Sequence, residues 1–309
     1  MRCMNYPPIP HLKNNPALED QYYLKQNIVY SKQTGEDLKL TMILPWHQKE
    51  ENIANKPMPL LVYVQGSAWC TPDFDYEIPQ LALFAHAGFV VATVGHRNCT
   101  QGHPFPAYLK DVKCAIRYLR KHAEEYSIDP EQVVIWGTSS GGNTALLVGL
   151  TGDEERYVTT EHAGYSDKVN AVASCFGPTD LNSMVLPGGA QAAMELGMAL
   201  CGCDDAEVWK RVAYEMSPVN HVEKGKEYPP FLLLHGTADQ VVPCSQMEMM
   251  YEKLLECDVD VQAYLIDGAD HEGNFWTGEV REIIMKFLVE NKVENARSVH
   301  NLGNFRGKE

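Results

Sequence analysis

The chain has 309 residues, 45% of them hydrophobic, and a formal net charge of −15. Its length and apolar content suit one large α/β domain or two small ones around a sizeable core. The acidic balance argues against nucleic acid and anionic membrane surfaces as partners, because both require a positive footprint.

No apolar run of about 18 residues occurs, so no membrane span is expected. The opening stretch MRCMNYPPIPHLKNNP lacks the continuous apolar core of a secretory signal, and the expected location is cytoplasmic. The nine cysteines are an odd number, scattered from Cys3 to Cys257 without a C-x-x-C pair. That pattern implies reduced thiols, and neither a disulfide framework nor a zinc site. Cys201 and Cys203, with one residue between them, suit loop or core positions better than a structural metal knuckle.

Residues 1–25 read as an irregular or helical lead-in. NIVYSKQTGEDLKLTMILP then reads as two strands around a turn at Thr34-Gly35-Glu36. PLLVYVQGSAW is a buried strand ending in a small-residue loop, and LALFAHAGFVVATVGHR a helix followed by another buried strand. AYLKDVKCAIRYLRKHAEEY is an amphipathic helix whose apolar side shows at Val112, Ala115, Ile116 and Leu119. Asp111 on this helix and Arg97 in GHRN are placed to form a buried ion pair. VNAVASCFGPTD, FLLLHGTADQVVP and VQAYLIDGADH supply three further strands. Apolar strands alternating with helices imply a mostly parallel central sheet covered on both faces, with ligands bound beyond the carboxyl ends of the strands. From about 181 to 217 the rhythm breaks into helical sequence behind Pro187-Gly188-Gly189, which is expected to be a small lid or cap insertion. The segment 292–309 is a polar tail.

The strand Val133-Val134-Ile135-Trp136 runs into Gly137-Thr138-Ser139-Ser140-Gly141 and then an apolar helical stretch from Thr144 to Leu150. Gly and Ser are ordinary turn residues between strand and helix. This spacing is also G-x-S-x-G, in which a tight turn holds the middle serine in a strained conformation with its hydroxyl exposed. Glycine two residues either side removes the Cβ atoms that would collide there.

A serine hydroxyl is a poor nucleophile near neutral pH and needs a base in hydrogen-bond reach, itself oriented by a third group. Asp239 follows the strand Phe231 to Leu234, and His271 follows the strand Val261 to Ile266. Ser139, Asp239 and His271 thus fall beyond three different strands in the order Ser, Asp, His, with Asp267 and Asp270 as alternative acids. Acyl transfer also needs N–H donors for the developing oxyanion. The Ser140 amide is one candidate; the amides of Ser67 and Ala68, in the loop Gln65-Gly66-Ser67-Ala68-Trp69, are the others. Trp69, Phe275 and Trp276 border these loops and are candidates for a substrate-pocket wall or, equally, for ordinary core positions.

With these stretches in view, the chain resembles the α/β-hydrolase branch of hormone-sensitive-lipase-type carboxylesterases and, more closely, the bifunctional acetylxylan and feruloyl esterases. The resemblance covers roughly residues 25–290, and LLVYVQGSAW, the segment from His103 to Gly142, PPFLLLHGTADQVVP and GADHEGNFW carry it. It implies a Ser139-Asp239-His271 triad, and hydrolysis of short-chain acyl or hydroxycinnamoyl esters, of plant-derived carbohydrates or other small alcohols. It implies no metal and no organic cofactor. Gln65, Ser67 and Ala68 replace the histidine and two glycines of the family's usual H-G-G-G-W loop, which narrows what fits beside the ester. The expected partner is a small-molecule or oligosaccharide ester, and a homo-oligomer is compatible with the sequence. Amide cleavage of the arylformamidase or small-peptidase kind shares this fold and triad and stands as the alternative. A non-catalytic small-molecule binder is a third reading, although binders on this fold lose a triad member.

Overall fold

The computed structural model describes residues 10–291 apart from 17, 19, 33–34, 47–56 and 187. The first nine residues of the lead-in, Thr34 of the expected turn, Pro187 and the polar tail lie outside the described residues.

Strands β1 (Tyr22–Ser31) and β2 (Leu38–Pro45) pair antiparallel, with Leu24 opposite Ile43. β1 begins inside the segment expected to be irregular or helical. Tyr22 and Tyr23 lie opposite Pro45 and Leu44, so cross-strand pairing overrides a locally mixed sequence. β3 (Met58–Val64), β4 (Val90–Val94), β5 (Ile128–Thr138), β6 (Ala171–Cys175), β7 (Phe231–Gly236) and β8 (Val261–Ile266) run parallel to one another. β2 joins them antiparallel through β4, and the sheet order is β1-β2-β4-β3-β5-β6-β7-β8.

The helices are α1 (Ile78–His86), α2 (Ala107–Lys121), α3 (Ser140–Leu150), α4 (Gly189–Cys201), α5 (Ala206–Met216), α6 (Ser245–Glu256) and α7 (Gly278–Glu290). Alternate residues of a strand point to opposite faces, and β3 shows the result. Leu60, Val62 and Val64 pack with Val112, Ile116 and Leu119 of α2, Leu147 of α3 and Met250 of α6. Leu61 and Tyr63 pack on the other side with Leu81 and Phe84 of α1 and Ile284 and Phe287 of α7. Sequence period 2 in the strands and period 3 to 4 in α2 therefore build two apolar layers around one sheet.

α3 is buried at every position, as befits a helix without a charged face. Arg97, just after β4, donates from Nη2 and Nε to the two oxygens of Asp111 on α2, at 2.7 and 2.9 Å. The expected insertion holds α4 and α5. Asp205 caps α5 by accepting from the amides of Glu207 and Val208, and the Phe105 amide donates to the Leu200 carbonyl at the end of α4, 3.0 Å away. Among the described residues no helix is long and apolar enough to cross a membrane, and the eight described cysteines, Cys201 and Cys203 included, are free thiols.

Candidate active site

Ser139 sits between the end of β5 and the start of α3 with φ 51° and ψ −125°, a conformation that costs on the order of 1–3 kcal/mol for a non-glycine residue. The turn can be this tight because of its glycines. A Cβ on Gly137 would lie 2.1 Å from the Gly141 carbonyl oxygen, and one on Gly141 would lie 2.0 Å from that of Val64. The strained residue is pinned on both sides. Its amide donates to the Cys175 carbonyl at 2.9 Å, and its carbonyl accepts from the Asn143 amide at 3.0 Å.

His271 reaches this hydroxyl from the loop after β8, with Nε2 3.0 Å from Ser139 Oγ. Its Nδ1 lies 2.8 Å from Asp239 Oδ2. A carboxylate only accepts, so Nδ1 carries the proton and Nε2 presents its lone pair to the serine. The ring of Phe176 packs against the imidazole with centroids 4.6 Å apart. The two supporting loops are tied together: the Ala238 amide donates to the Ala269 carbonyl at 2.9 Å, and Gly236 approaches that carbonyl so closely that a Cβ would stand 2.3 Å from its oxygen.

The Asp239 side chain has no solvent exposure. Burial on its own raises a carboxyl pKa. Here hydrogen bonds from His235, His271 and the Val242 amide outweigh burial and hold Asp239 well below the ordinary carboxylate range. Oδ1 accepts from the amides of Val241 and Val242, each at 2.8 Å. Of the alternative acids, Asp267 is exposed. Asp270 Oδ1 instead accepts from the backbone amides of His271 and Gln240, at 2.7 and 2.9 Å, and so fastens the two loops.

The loop Gln65 to Trp69 lies beside Ser139, and a Cβ on Gly66 would be 2.7 Å from the serine Cβ. Ala68 and Trp69 both have positive φ. The Ser67 amide, expected to face the substrate, donates instead to Ser140 Oγ at 2.9 Å, because a hydroxyl at the first position of α3 offers it an acceptor. The Ala68 and Ser140 amides remain as the candidate donors of the expected set. Ser140 opens α3, where backbone N–H groups have no intrahelical partner and the helix dipole is positive.

The expected pocket wall is corrected in two of its three members. Trp69 is 2% exposed and Phe275 fully buried; a wall must keep a face open, and these two lie in the core instead. Phe275 stacks edge-on against Phe176 at 4.7 Å, behind the ring that supports His271. Trp276 is half-buried, and its indole N–H donates to Glu272 at 2.7 Å.

Two residues escaped the sequence reading. Asn143, fully buried on α3, donates to the carbonyls of Pro178 and Met216 at 3.0 and 2.8 Å and lies 3.4 Å from the indole N–H of Trp69. It links α3, the Gln65–Trp69 loop and the end of α5; an amide side chain inside a helix without charges was its signal. His235, the second, places Nε2 3.2 Å from Asp239 Oδ2 and 2.8 Å from the Val242 carbonyl. Lying inside a strand, it carried no signal of this kind.

Known proteins resemble this chain over most of its length. The esterase LipC of Mycobacterium tuberculosis is 27% identical over 259 residues, which is 82% of this chain and 62% of LipC. This chain spans 44–62% of the length of the curated relatives it matches first. A solved structure described as a truncated form of a carbohydrate esterase from gut microbiota superposes with a TM-score of 0.74 and 27% identity, over 89% of this chain and 98% of that one. A bifunctional GH43-CE protein of Bacteroides eggerthii superposes at 0.75 with 26% identity, over 87% of this chain and 35% of that one. Residues 49–254 match the BD-FAE family; with more than half of the sequence inside that match, the chain belongs to the BD-FAE family and has the α/β-hydrolase fold.

Proposed function

We propose that the protein is a serine carboxylesterase that cleaves short-chain acyl or hydroxycinnamoyl esters of plant-derived carbohydrates through an acyl-enzyme on Ser139. The observation that carries this reading is the line Ser139 Oγ, His271 Nε2, His271 Nδ1, Asp239 Oδ2, with contacts of 3.0 and 2.8 Å. The serine attacks the ester carbonyl carbon while its proton passes to His271 Nε2, and Asp239 offsets the imidazolium charge. The Ala68 and Ser140 amides meet the oxyanion of the tetrahedral intermediate. Collapse expels the alcohol with the proton from His271, and water activated by the same nitrogen then releases the acid and restores Ser139.

The scheme calls for no metal and no organic cofactor. The carbohydrate esterase and GH43-CE neighbours support a sugar ester as substrate, with α4 and α5 acting as a lid. In a cytoplasmic setting, oligosaccharides or small esters fit better than intact polymer. The test is the initial rate on aryl acetate, butyrate and octanoate, methyl ferulate and a matched acetanilide. Ser139→Ala serves as the blank and is expected to lose roughly 10⁴- to 10⁶-fold. Wild-type rates equal to the blank on every ester would overturn the reading, and a preference for the anilide would move the protein to amide hydrolysis.

A further inference from the structure

We propose that Cys114, Glu161 and His162 form a binding site for a zinc-type divalent cation, separate from the Ser139 site. The Sγ of Cys114 on α2, a carboxylate oxygen of Glu161 and a ring nitrogen of His162, both in the connection from α3 to β6, lie within 4.8 Å of one another. The trio mixes a soft thiolate with imidazole and carboxylate. That ligand set favours zinc-like ions over magnesium or calcium, which take all-oxygen cages.

The imidazole keeps one ring nitrogen free to bind. His162 Nε2 lies 2.9 Å from the Tyr30 carbonyl oxygen, which can only accept. Nε2 therefore carries the proton, and Nδ1 keeps its lone pair. That Nδ1 is buried and has no hydrogen-bond partner, which leaves a costly unsatisfied acceptor unless something binds it. Metal-bound histidines characteristically give their other ring N–H to a backbone carbonyl. His162 also holds φ at 58°, a conformation uncommon outside glycine.

The other two ligands have matching support. Both oxygens of Glu161 accept from the Lys32 amide, at 3.3 and 3.4 Å, and bound carboxylates are usually held by such outer contacts. Cys114 is 1% exposed, and the Thr159 hydroxyl lies against its thiol. Close to the trio, Arg117 donates from Nη2 to Thr159 Oγ1 at 2.9 Å while Nη1 pairs with Asp167. Asp167 carries the counter-charge that Arg117 shares with Lys113. The same three residue types could make a nucleophilic triad, but a thiol this buried cannot meet a substrate.

Bond lengths of about 2.0–2.3 Å put the ligand atoms of a tetrahedral zinc ion roughly 3.5 Å apart, so the trio must close by at most about 1.3 Å. Binding expels the thiol proton to solvent, thiolate and carboxylate neutralise the dication, and a water completes the fourth position.

The test titrates Co²⁺ anaerobically into the full-length protein and reads thiolate-to-cobalt charge-transfer absorption together with the intense visible bands of tetrahedral cobalt. One equivalent is expected to saturate both, and Zn²⁺ to abolish them. Cys114→Ser should lose the charge-transfer band, and His162→Gln and Glu161→Gln should each weaken binding at least ~10-fold, with circular dichroism unchanged. Should Cys114→Ser not fold, the two less buried variants decide. No charge-transfer band in the wild type would overturn the proposal, as would a band that survives these substitutions through one of the other thiols. Neither result depends on whether Ser139 hydrolyses esters.

Discussion

His235 has no solvent exposure, and both atoms near its Nε2, the Val242 carbonyl and Asp239 Oδ2, are acceptors. The neutral ring with its proton on Nε2 serves both, and it leaves Nδ1 buried without a partner. His235 shares Oδ2 with His271 and thereby withdraws negative charge from the oxygen that, in the proposed mechanism, stabilises the imidazolium. Removing it should leave Asp239 a stronger acceptor and His271 easier to protonate. In His235→Leu the acid limb of the kcat/KM profile should therefore move to higher pH, and the fold should lose about 1.5–3 kcal/mol with its buried hydrogen bond to a charged group. His235→Gln, which keeps a donor, should restore both. A profile that stays in place while stability falls would reduce His235 to packing. Asp239 itself should not contribute an acid limb in the working range. Its pKa is depressed in the folded protein, so its stabilisation is complete above the unfolded value of ~3.9 and fades only as pH falls below that.

The elements that place the site differ in how far the sequence announces them. Strands β3, β4, β6 and β7 and the Val133–Trp136 part of β5 are short apolar runs, and α2 shows its buried stripe at Val112, Ile116 and Leu119, so local pattern and tertiary demand agree. β1 was readable only in part, since YYLKQ has no clean alternation and becomes a strand through its pairing with β2. Ser139, Asp239 and His271 could be picked out because each follows a strand end where side chains converge. The donation from Ser67 to Ser140 Oγ joins residues far apart in sequence, and no local rule encodes it. The burial of Trp69 and Phe275 was hidden for the same reason: an aromatic beside a catalytic loop has the same letter whether it faces the cleft or the core. The elbow glycines yield a prediction at this scale. A Cβ on Gly141 would meet the Val64 carbonyl oxygen at 2.0 Å, so Gly141→Ala must push β3 from the turn. It should cost about 3 kcal/mol or more, lower Tm by about 5 °C or more and disable ester hydrolysis. Gly88, with φ 92° and nothing within 4 Å of its Cβ direction, is the control: Gly88→Ala should cost only about 1–2 kcal/mol and leave turnover intact. Equal damage from both would mean that backbone freedom, rather than close approach, explains the elbow.

At the scale of the whole molecule, an excess of negative charge outside surrounds an ionic cluster within. Lys113 and Arg117 of α2 are both buried and both bond Asp167, which precedes β6; the lysine Nζ stands 2.6 Å from Oδ1. Lys113 also donates to the Thr151 carbonyl at 2.7 Å, just past the end of α3, and Asp167 accepts from the Asp153 amide at 2.9 Å. One carboxylate thus holds α2, the end of α3 and the approach to β6 together behind the strand that carries the elbow. Replacing it by a neutral amide leaves two cations without their counter-charge in a dry interior, and breaking a buried pair in this way typically costs about 3–5 kcal/mol. Burial already lowers the pKa of Lys113, and attraction to Asp167 works against that lowering. In Asp167→Asn the opposing attraction is gone, so the folded-state pKa drops further below the unfolded value of ~10.4. The unfolded chain then binds more protons than the native one across that interval, and stability rises with pH through it. The deficit of Asp167→Asn should accordingly be largest near neutral pH and narrow as Lys113 releases its proton on the alkaline side, without closing, because Arg117 stays charged. Urea unfolding of both proteins at pH 7 and pH 9.5 measures this directly; a deficit independent of pH would mean that Lys113 keeps its proton without Asp167, and that solvent reaches the cluster.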